Sequence, residues 1–572
     1  VLRTFSKKWV FTVGCVLVFL LFWEPLSYAQ TGSLTEKVDQ LFVSWDKLDS
    51  PGCALGIIQD GKLIYARGYG MANLEYNIPI TAKSIFRIGS TSKQFAAMCM
   101  VLLEEEGKLS LDDSLRKFFP QMPNYAENVT IRHLIHHTSG IRDYLTLAEI
   151  AGMRDDDYFS DAEVVDLLAR QKELNFRPGE EHLYSNSGYF LLSQIIKKAS
   201  GKSLREYAEE KIFQPLGMTN THFHDDHTKI VKNRASGYAP QKGGGFVISM
   251  TTLPMTGDGG VFTSVEDLFF WDLNFYDNRL GKSGQALIEK IQTPGVLNSG
   301  KKLDYAFGLG IGEHKGLRIV SHGGAFVGFR ADMLRFPDQR FSVICLANLS
   351  TFNPSVMVKR VADIYLADLF KEESGDKEKT APDKSKIIKL TESELKNKTG
   401  NYYDRERDVL WTVVLVKDQL QVRAPITRFM ISPISPTRFV AEEFPIRLEI
   451  EFEKNEETQT YVVHAWTEGK KQGMYEPIKV TEPTPEELEV YIGKYYSEEL
   501  GTAYILRLKK GKLYMRHENP YKSYPKAALK PTFMDSFQVE RWKLNFIRNE
   551  EKDIIGFKVN AGRVQNILFE KQ

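Results

Sequence analysis

The C-terminal third of the chain repeats itself. A repeat restricts folding more than any short motif, because every copy must find the same way to bury its apolar face. Thr391-Glu392-Ser393-Glu394-Leu395 leads to Gly400-Asn401-Tyr402-Tyr403, and Thr484-Pro485-Glu486-Glu487-Leu488 leads to Gly493-Lys494-Tyr495-Tyr496. The offset of 93 residues continues without gaps, so Trp411, Leu415, Lys417, Leu420 and Arg423 fall opposite Tyr504, Leu508, Lys510, Leu513 and Arg516. Both copies run on as short alternating strands, as at 447–452. This predicts two small antiparallel β-barrels, at 389–480 and 481–572, since closure removes exposed strand edges. Neither copy gathers Ser, His, Asp or Glu into a catalytic pattern, so they read as packing or substrate-gating modules.

The chain has 572 residues, room for several cores ahead of the repeat. Residues 53–69 read as two strands around Asp60-Gly61, a favoured hairpin turn. Helix patterns follow: one opens near Gly89-Ser90 and stops at Gly107, another follows Gly188 and ends before Gly201. Strand patterns return at 317–320, 328–336 and 341–347. Strands at both ends with helices between describe an α+β domain, 30–370, with an antiparallel sheet flanked by helices. A charged stretch, 371–388, with almost nothing to bury, reads as a linker.

Residues 1–29 have the composition of a secretory signal: Arg3, Lys7 and Lys8, an apolar run from Trp9 to Trp23, then Ser27-Tyr28-Ala29 before a cleavage point. The expected setting is the bacterial periplasm or the medium, with no membrane attachment after cleavage. Cys53, Cys99 and Cys345 would remain, each in an apolar stretch, and read as buried thiols. Lys plus Arg total 75 against 74 for Asp plus Glu, which argues against nucleic acid as the main partner.

Three segments of the α+β domain carry reactive chemistry. In Gly89-Ser90-Thr91-Ser92-Lys93 the Ser90 hydroxyl and Lys93 amine are three apart, on one helix face. A lysine activates a serine only if burial or a nearby cation lowers its pKa. Ser-x-x-Lys also occurs at Ser44, Ser114, Ser299, Ser374, Ser393 and Ser523; only Ser90 has a glycine-led helix start with an apolar run behind it. In Leu183-Tyr184-Ser185-Asn186, placed in a turn before a helix, Tyr184 could relay a proton if nearby ammonium groups lowered its pKa, and Asn186 could bind a substrate amide. Ser321-His322-Gly323-Gly324-Ala325 is expected between two strands, where glycines let a substrate approach the backbone.

The order Ser-x-x-Lys, Tyr-x-Asn, His-x-Gly resembles the serine β-lactamase and penicillin-binding-protein superfamily. Supporting segments are His136-His137-Thr138-Ser139-Gly140-Ile141, Pro215-Leu216-Gly217-Met218, and Gly259-Gly260-Val261-Phe262-Thr263-Ser264. These are similar to the branch holding class C β-lactamases, esterases and D-aminopeptidases, over roughly residues 35–368. The trailing pair of lipocalin-like barrels resembles the layout of D-aminopeptidases. The resemblance implies Ser90 as acylated nucleophile, Lys93 as its base, Tyr184 as proton shuttle, and Asn186 at the substrate's acyl amide. The Ser90 and Ala325 N–H groups would form the oxyanion hole, with Gly323 and Gly324 lining the substrate strand. His322 stands where β-lactamases carry a lysine, which puts efficient β-lactamase activity in doubt because histidine is at most partly charged at neutral pH.

The sequence therefore points to an exported serine hydrolase acting on amides, peptides or esters, D-amino-acid peptides included, with no cofactor or metal. A carboxylesterase or penicillin-recognising enzyme is the alternative within the class, and a non-catalytic sensor the alternative outside it. His222-Phe223-His224-Asp225-Asp226-His227 has the residue types of a zinc site, but it follows a loop and lacks a matched downstream set.

Overall fold

The computed structural model describes residues 26–572 except 155–156, 371–386, 406, 408, 425–426, 443–446, 468, 481–482, 523–526 and 534. Most of the signal segment and the charged linker lie outside the described residues. The expected cleavage point after Ala29 falls within a helix, α1 (Leu26–Phe42).

Six antiparallel strands form the central sheet: β1 (Cys53–Gln59), β2 (Lys62–Tyr69), β3 (Gly310–His314), β4 (Leu317–Phe326), β5 (Phe329–Phe336) and β6 (Phe341–Ala347), in the order β3-β4-β5-β6-β1-β2. Asp60 and Gly61 turn the β1–β2 hairpin with φ of 50° and 74°, the left-handed pair such a turn requires. β1 is apolar from Cys53 to Ile58 because both its faces are covered there. Cys53, Leu55 and Ile57 point to a core shared with α1 and α5 (Pro354–Tyr365), while Ala54 and Ile58 point to the larger core. That larger core is filled by α2 (Lys93–Glu105), α3 (Asn186–Ser200) and α4 (Val265–Leu273). Gly56 lies against α4, where a Cβ would come 2.4 Å from Val265 Cγ1. Cys53, Cys99 and Cys345 are buried free thiols.

Three local expectations change. Ser90 sits in a 3-10 turn, Gly89–Ser92, that leads into α2 rather than in the first turn of the α-helix itself. Asn186 is the first residue of α3, not part of a turn ahead of it. The His322–Ala325 segment lies inside β4, since the strand runs unbroken to Phe326. Two glycines did not interrupt pairing because β5 pairs along their whole length, Gly323 with Asp332 and Gly324 with Ala331.

The repeat is visible atom by atom. Thr391 and Thr484 cap equivalent helices through capping boxes, and Tyr402 and Tyr495 donate hydroxyl hydrogen bonds to Lys398 O (2.9 Å) and Tyr491 O (2.8 Å). The first copy is a closed eight-stranded barrel from Gly400–Asp404 to Lys470–Ile478, whose end strands pair. The second is a nine-stranded sheet whose end strands, Ala527–Ala528 and Lys530–Phe533, are consecutive in the chain. The sheet must therefore curl until its ends nearly meet.

The second barrel is built onto the α+β domain. Its apolar residues belong to the same continuous core as α2 and α3. Arg142 and Glu499, with side chains 1% and 6% exposed, form an ion pair at 2.6 Å across the junction. Glu499 also accepts the Lys172 N–H at 2.8 Å, and Tyr504 donates to Ile150 O at 2.9 Å.

Candidate active site

The Gly89–Ser92 turn is wedged between β4 and the start of α2. Gly89 adopts φ 51°, and a Cβ there would sit 2.8 Å from Ala325 N. A Cβ on Gly324 would lie 1.9 Å from Ile88 O. Both positions exclude side chains because two backbones meet there. The Thr91 hydroxyl ties the pieces together by donating to His322 O at 3.0 Å. Ser90 and the exposed backbone at Ala325 are thus neighbours at the mouth of a cavity of about 660 Å³.

In a 3-10 turn residues three apart eclipse, and Lys93 Nζ lies 3.1 Å from Ser90 Oγ. The ammonium also donates to Asn186 Oδ1 at 2.9 Å and to Asp258 O at 2.5 Å, which uses its three donors. Lys93 is completely buried, and burial pulls its pKa down to about 7 against the opposing attraction of Asp258 and Asp143. A serine–lysine pair needs a lysine of lowered pKa here, and the cause is desolvation by the packed core.

Tyr184 faces the same serine. Its hydroxyl is buried without a regular hydrogen-bond partner among the described residues, while its ring lies 4.8 Å from Lys93 Nζ. The condition of a lowered pKa is not met: burial raises it and outweighs the lowering by Ser90 and Arg563. Tyr184 is therefore a neutral phenol that can give a proton, not a phenolate. His137 holds it in place, with its ring 4.1 Å away and its Nδ1 accepting the Ser185 N–H at 3.2 Å.

His322 Nδ1 donates to Gly323 O at 2.6 Å, a carbonyl that can only accept, so Nε2 accepts from the Tyr305 hydroxyl at 3.0 Å. Burial, with Lys93 nearby, drives the His322 pKa down to about 4. At neutral pH it is an uncharged imidazole. Gly323, Gly324 and Ala325 line the same cavity, as does Asn186.

Several groups at the site had no signal in the sequence. Asp143 Oδ2 accepts the Asn186 N–H at 2.7 Å and fixes the start of α3. Tyr144 donates to Asp258 Oδ2 at 3.0 Å, holding the loop whose carbonyl binds Lys93. Arg563 reaches the cavity from the second barrel, nearly 400 residues beyond Tyr184 in the chain. The Asp143–Tyr144 pair lies one residue beyond the His136–Ile141 segment, but nothing in its own pattern marks it.

The His222–His227 segment is arranged for packing. His222 Nε2 meets His224 Nδ1 at 3.3 Å, and Asp225 pairs with Arg205 at 2.9 Å. Among the described residues no group of three or more His, Cys, Asp or Glu is placed to hold a metal ion.

An antiparallel sheet between helical layers, with a buried lysine against a turn-borne serine and a glycine-rich strand alongside, defines the serine β-lactamase type of fold and site. A β-lactamase family model matches residues 38–367, and the chain belongs to that family. It is 30% identical to penicillin-binding protein 4* of Bacillus subtilis over 412 residues, 68% of this chain and 88% of that protein. It is 29% identical to a D-aminopeptidase of Gluconobacter oxydans over 303 residues, 53% of this chain; the match spans 56% of that relative's length. Among solved structures, an octameric penicillin-binding protein homologue from Pyrococcus abyssi is 27% identical with a TM-score of 0.54, covering 78% of this chain and 99% of that one.

Proposed function

We propose that the protein is a serine hydrolase that works through an acyl-enzyme on Ser90 and takes amide, peptide or ester substrates. The observation that carries this reading is the buried Lys93 amine, 3.1 Å from Ser90 Oγ with a pKa near 7. At neutral pH a substantial fraction is free amine and can accept the serine proton. Ser90 Oγ then attacks the carbonyl carbon. The oxyanion that forms is held by the Ser90 and Ala325 N–H groups, a type of contact often contributing about 3 kcal/mol. Tyr184 gives its proton to the leaving amine or alcohol as that bond breaks, and is reprotonated by the Lys93 ammonium, which holds the proton taken from Ser90. Water then attacks the acyl-Ser90 ester by the same route in reverse. Asn186, with its amide oxygen held by Lys93, presents its NH2 to the acyl half.

D-amino-acid peptides are the first class to screen, on the likeness to D-aminopeptidase sequences. The uncharged His322 disfavours efficient β-lactam hydrolysis. Export is part of the proposal and rests on the pattern of residues 1–29; a mature N-terminus at Gln30 on the exported protein would support it.

The test is hydrolysis of a p-nitrophenyl ester by wild type and Ser90→Ala. Loss of at least about 10³-fold in kcat, with an unchanged melting curve, is expected. Unchanged turnover in the variant would remove the acyl-enzyme reading.

A further inference from the structure

The cavity wall carries three arginines, Arg87, Arg330 and Arg563, and one acid, Asp258. Two of the arginines are occupied. Arg87 is 6% exposed and packs its guanidinium on Phe326 and Phe262 at 5.2 and 6.0 Å. Arg330 donates to the Val327 and Phe329 carbonyls at 2.9 and 2.6 Å. Asp258 is buried and engaged by the Tyr144 hydroxyl.

Arg563 differs. Its side chain is 44% exposed, and among the described residues its guanidinium makes no hydrogen bond. Its one ion-pair approach among the described residues is to Asp143 at 3.8 Å, and that carboxylate is already committed to the Asn186 and Thr146 N–H groups. The guanidinium carbon lies 4.7 Å from the centre of the Tyr184 ring. The backbone beneath it is fixed: Arg563 O accepts from Asn175 Nδ2 at 2.9 Å, and Asn175 Oδ1 accepts the Gln565 N–H at 2.9 Å. Arg563 sits in the tight turn between the barrel strands Ile554–Ala561 and Val564–Lys571. A pre-placed, partly desolvated guanidinium with unused donors is a fork for a carboxylate.

We infer that Arg563, delivered by the second barrel, is a specificity residue that binds a carboxylate on the leaving-group half of the substrate. This rests on the acyl-transfer reading above, in which Tyr184 serves the leaving group; the cation stacked on Tyr184 is therefore on that side of the scissile bond. It also fills a gap in the site, because His322 is uncharged and cannot anchor an anion. A substrate with a free ammonium at the same place would meet a fixed positive charge. The barrel thus acts as a wall that selects by charge.

The test uses two esters of similar size and shape, one anionic and one neutral, 3-carboxyphenyl acetate and 3-carbamoylphenyl acetate, with the full chain. Wild type should prefer the carboxylate, and the ratio of the two kcat/KM values should fall about tenfold or more in Arg563→Gln. Arg563→Lys should keep part of the preference, which a merely structural arginine would not predict, and Arg563→Glu should invert it. Rising salt should shrink the wild-type ratio and leave that of Arg563→Gln unmoved. An equal ratio in wild type and Arg563→Gln, both folded by circular dichroism, would overturn the inference. Turnover of either ester by Ser90→Ala would instead overturn the acyl-transfer reading, whatever the ratio.

Discussion

Removing the Glu499 carboxylate should detach the second barrel's grip on the catalytic domain. Arg142 and Glu499 are almost wholly buried, and they form a 2.6 Å ion pair across the junction. In Glu499→Ala the Arg142 guanidinium stays buried with, among the described residues, only Gln171 Oε1 at 3.1 Å and Asn566 O at 3.3 Å as acceptors, and its Nε has no partner among them even in wild type. The Lys172 N–H loses its acceptor as well. One-sided loss of a buried pair costs about 3–5 kcal/mol, because the remaining charge is neither solvated nor neutralised. Urea denaturation of wild type and Glu499→Ala measures this directly. The apolar double variant R142M/E499L should recover most of it, since removing both charges removes the desolvation penalty too. The damage should also reach catalysis. Arg142 adjoins Asp143, which holds the Asn186 N–H, and the same junction positions Arg563. A loss below about 1 kcal/mol, or a double variant no better than Glu499→Ala, would refute the argument.

The pH profile of kcat/KM should rise through about 7 as Lys93 loses its proton, because burial favours the neutral amine. The linked stability has the same sign: the unfolded chain keeps that proton up to the ordinary lysine range, so folding gains stability as pH climbs above 7. A profile flat between pH 6 and 8 would exclude Lys93 as the base. Gly324→Ala places a Cβ 1.9 Å from Ile88 O and should cost about 1–3 kcal/mol and at least about 100-fold in kcat, whereas Gly312→Ala on β3, whose Cβ meets only Ile319 Cγ1 at 3.8 Å, should cost neither. Incubation with a chelator should leave ester hydrolysis unchanged; loss that zinc restores would move the chemistry to the His222–His227 segment.

What could be read from the chain followed its local periodicities. Ser90 and Lys93 share a face whether the turn is 3-10 or α, so their meeting survived an error in the type of helix. The Asp60-Gly61 hairpin and the 93-residue repeat are likewise properties of neighbouring residues and of alternation. The strand through His322–Ala325 was misplaced because two glycines mimic a turn, and only pairing with β5 holds them extended.

The sequence alone determined the classes of element, the two-barrel tail and the serine–lysine pair, because backbone geometry maps spacing onto faces without reference to the rest of the molecule. Tertiary structure decided the chemistry of the cavity. Depth of burial set the Lys93 and His322 pKa values and kept Tyr184 protonated. Docking of the second barrel brought Arg563 over Tyr184, a contact between residues nearly 400 apart. Desolvation and long-range proximity depend on how whole faces pack, and no local pattern in the chain encodes them.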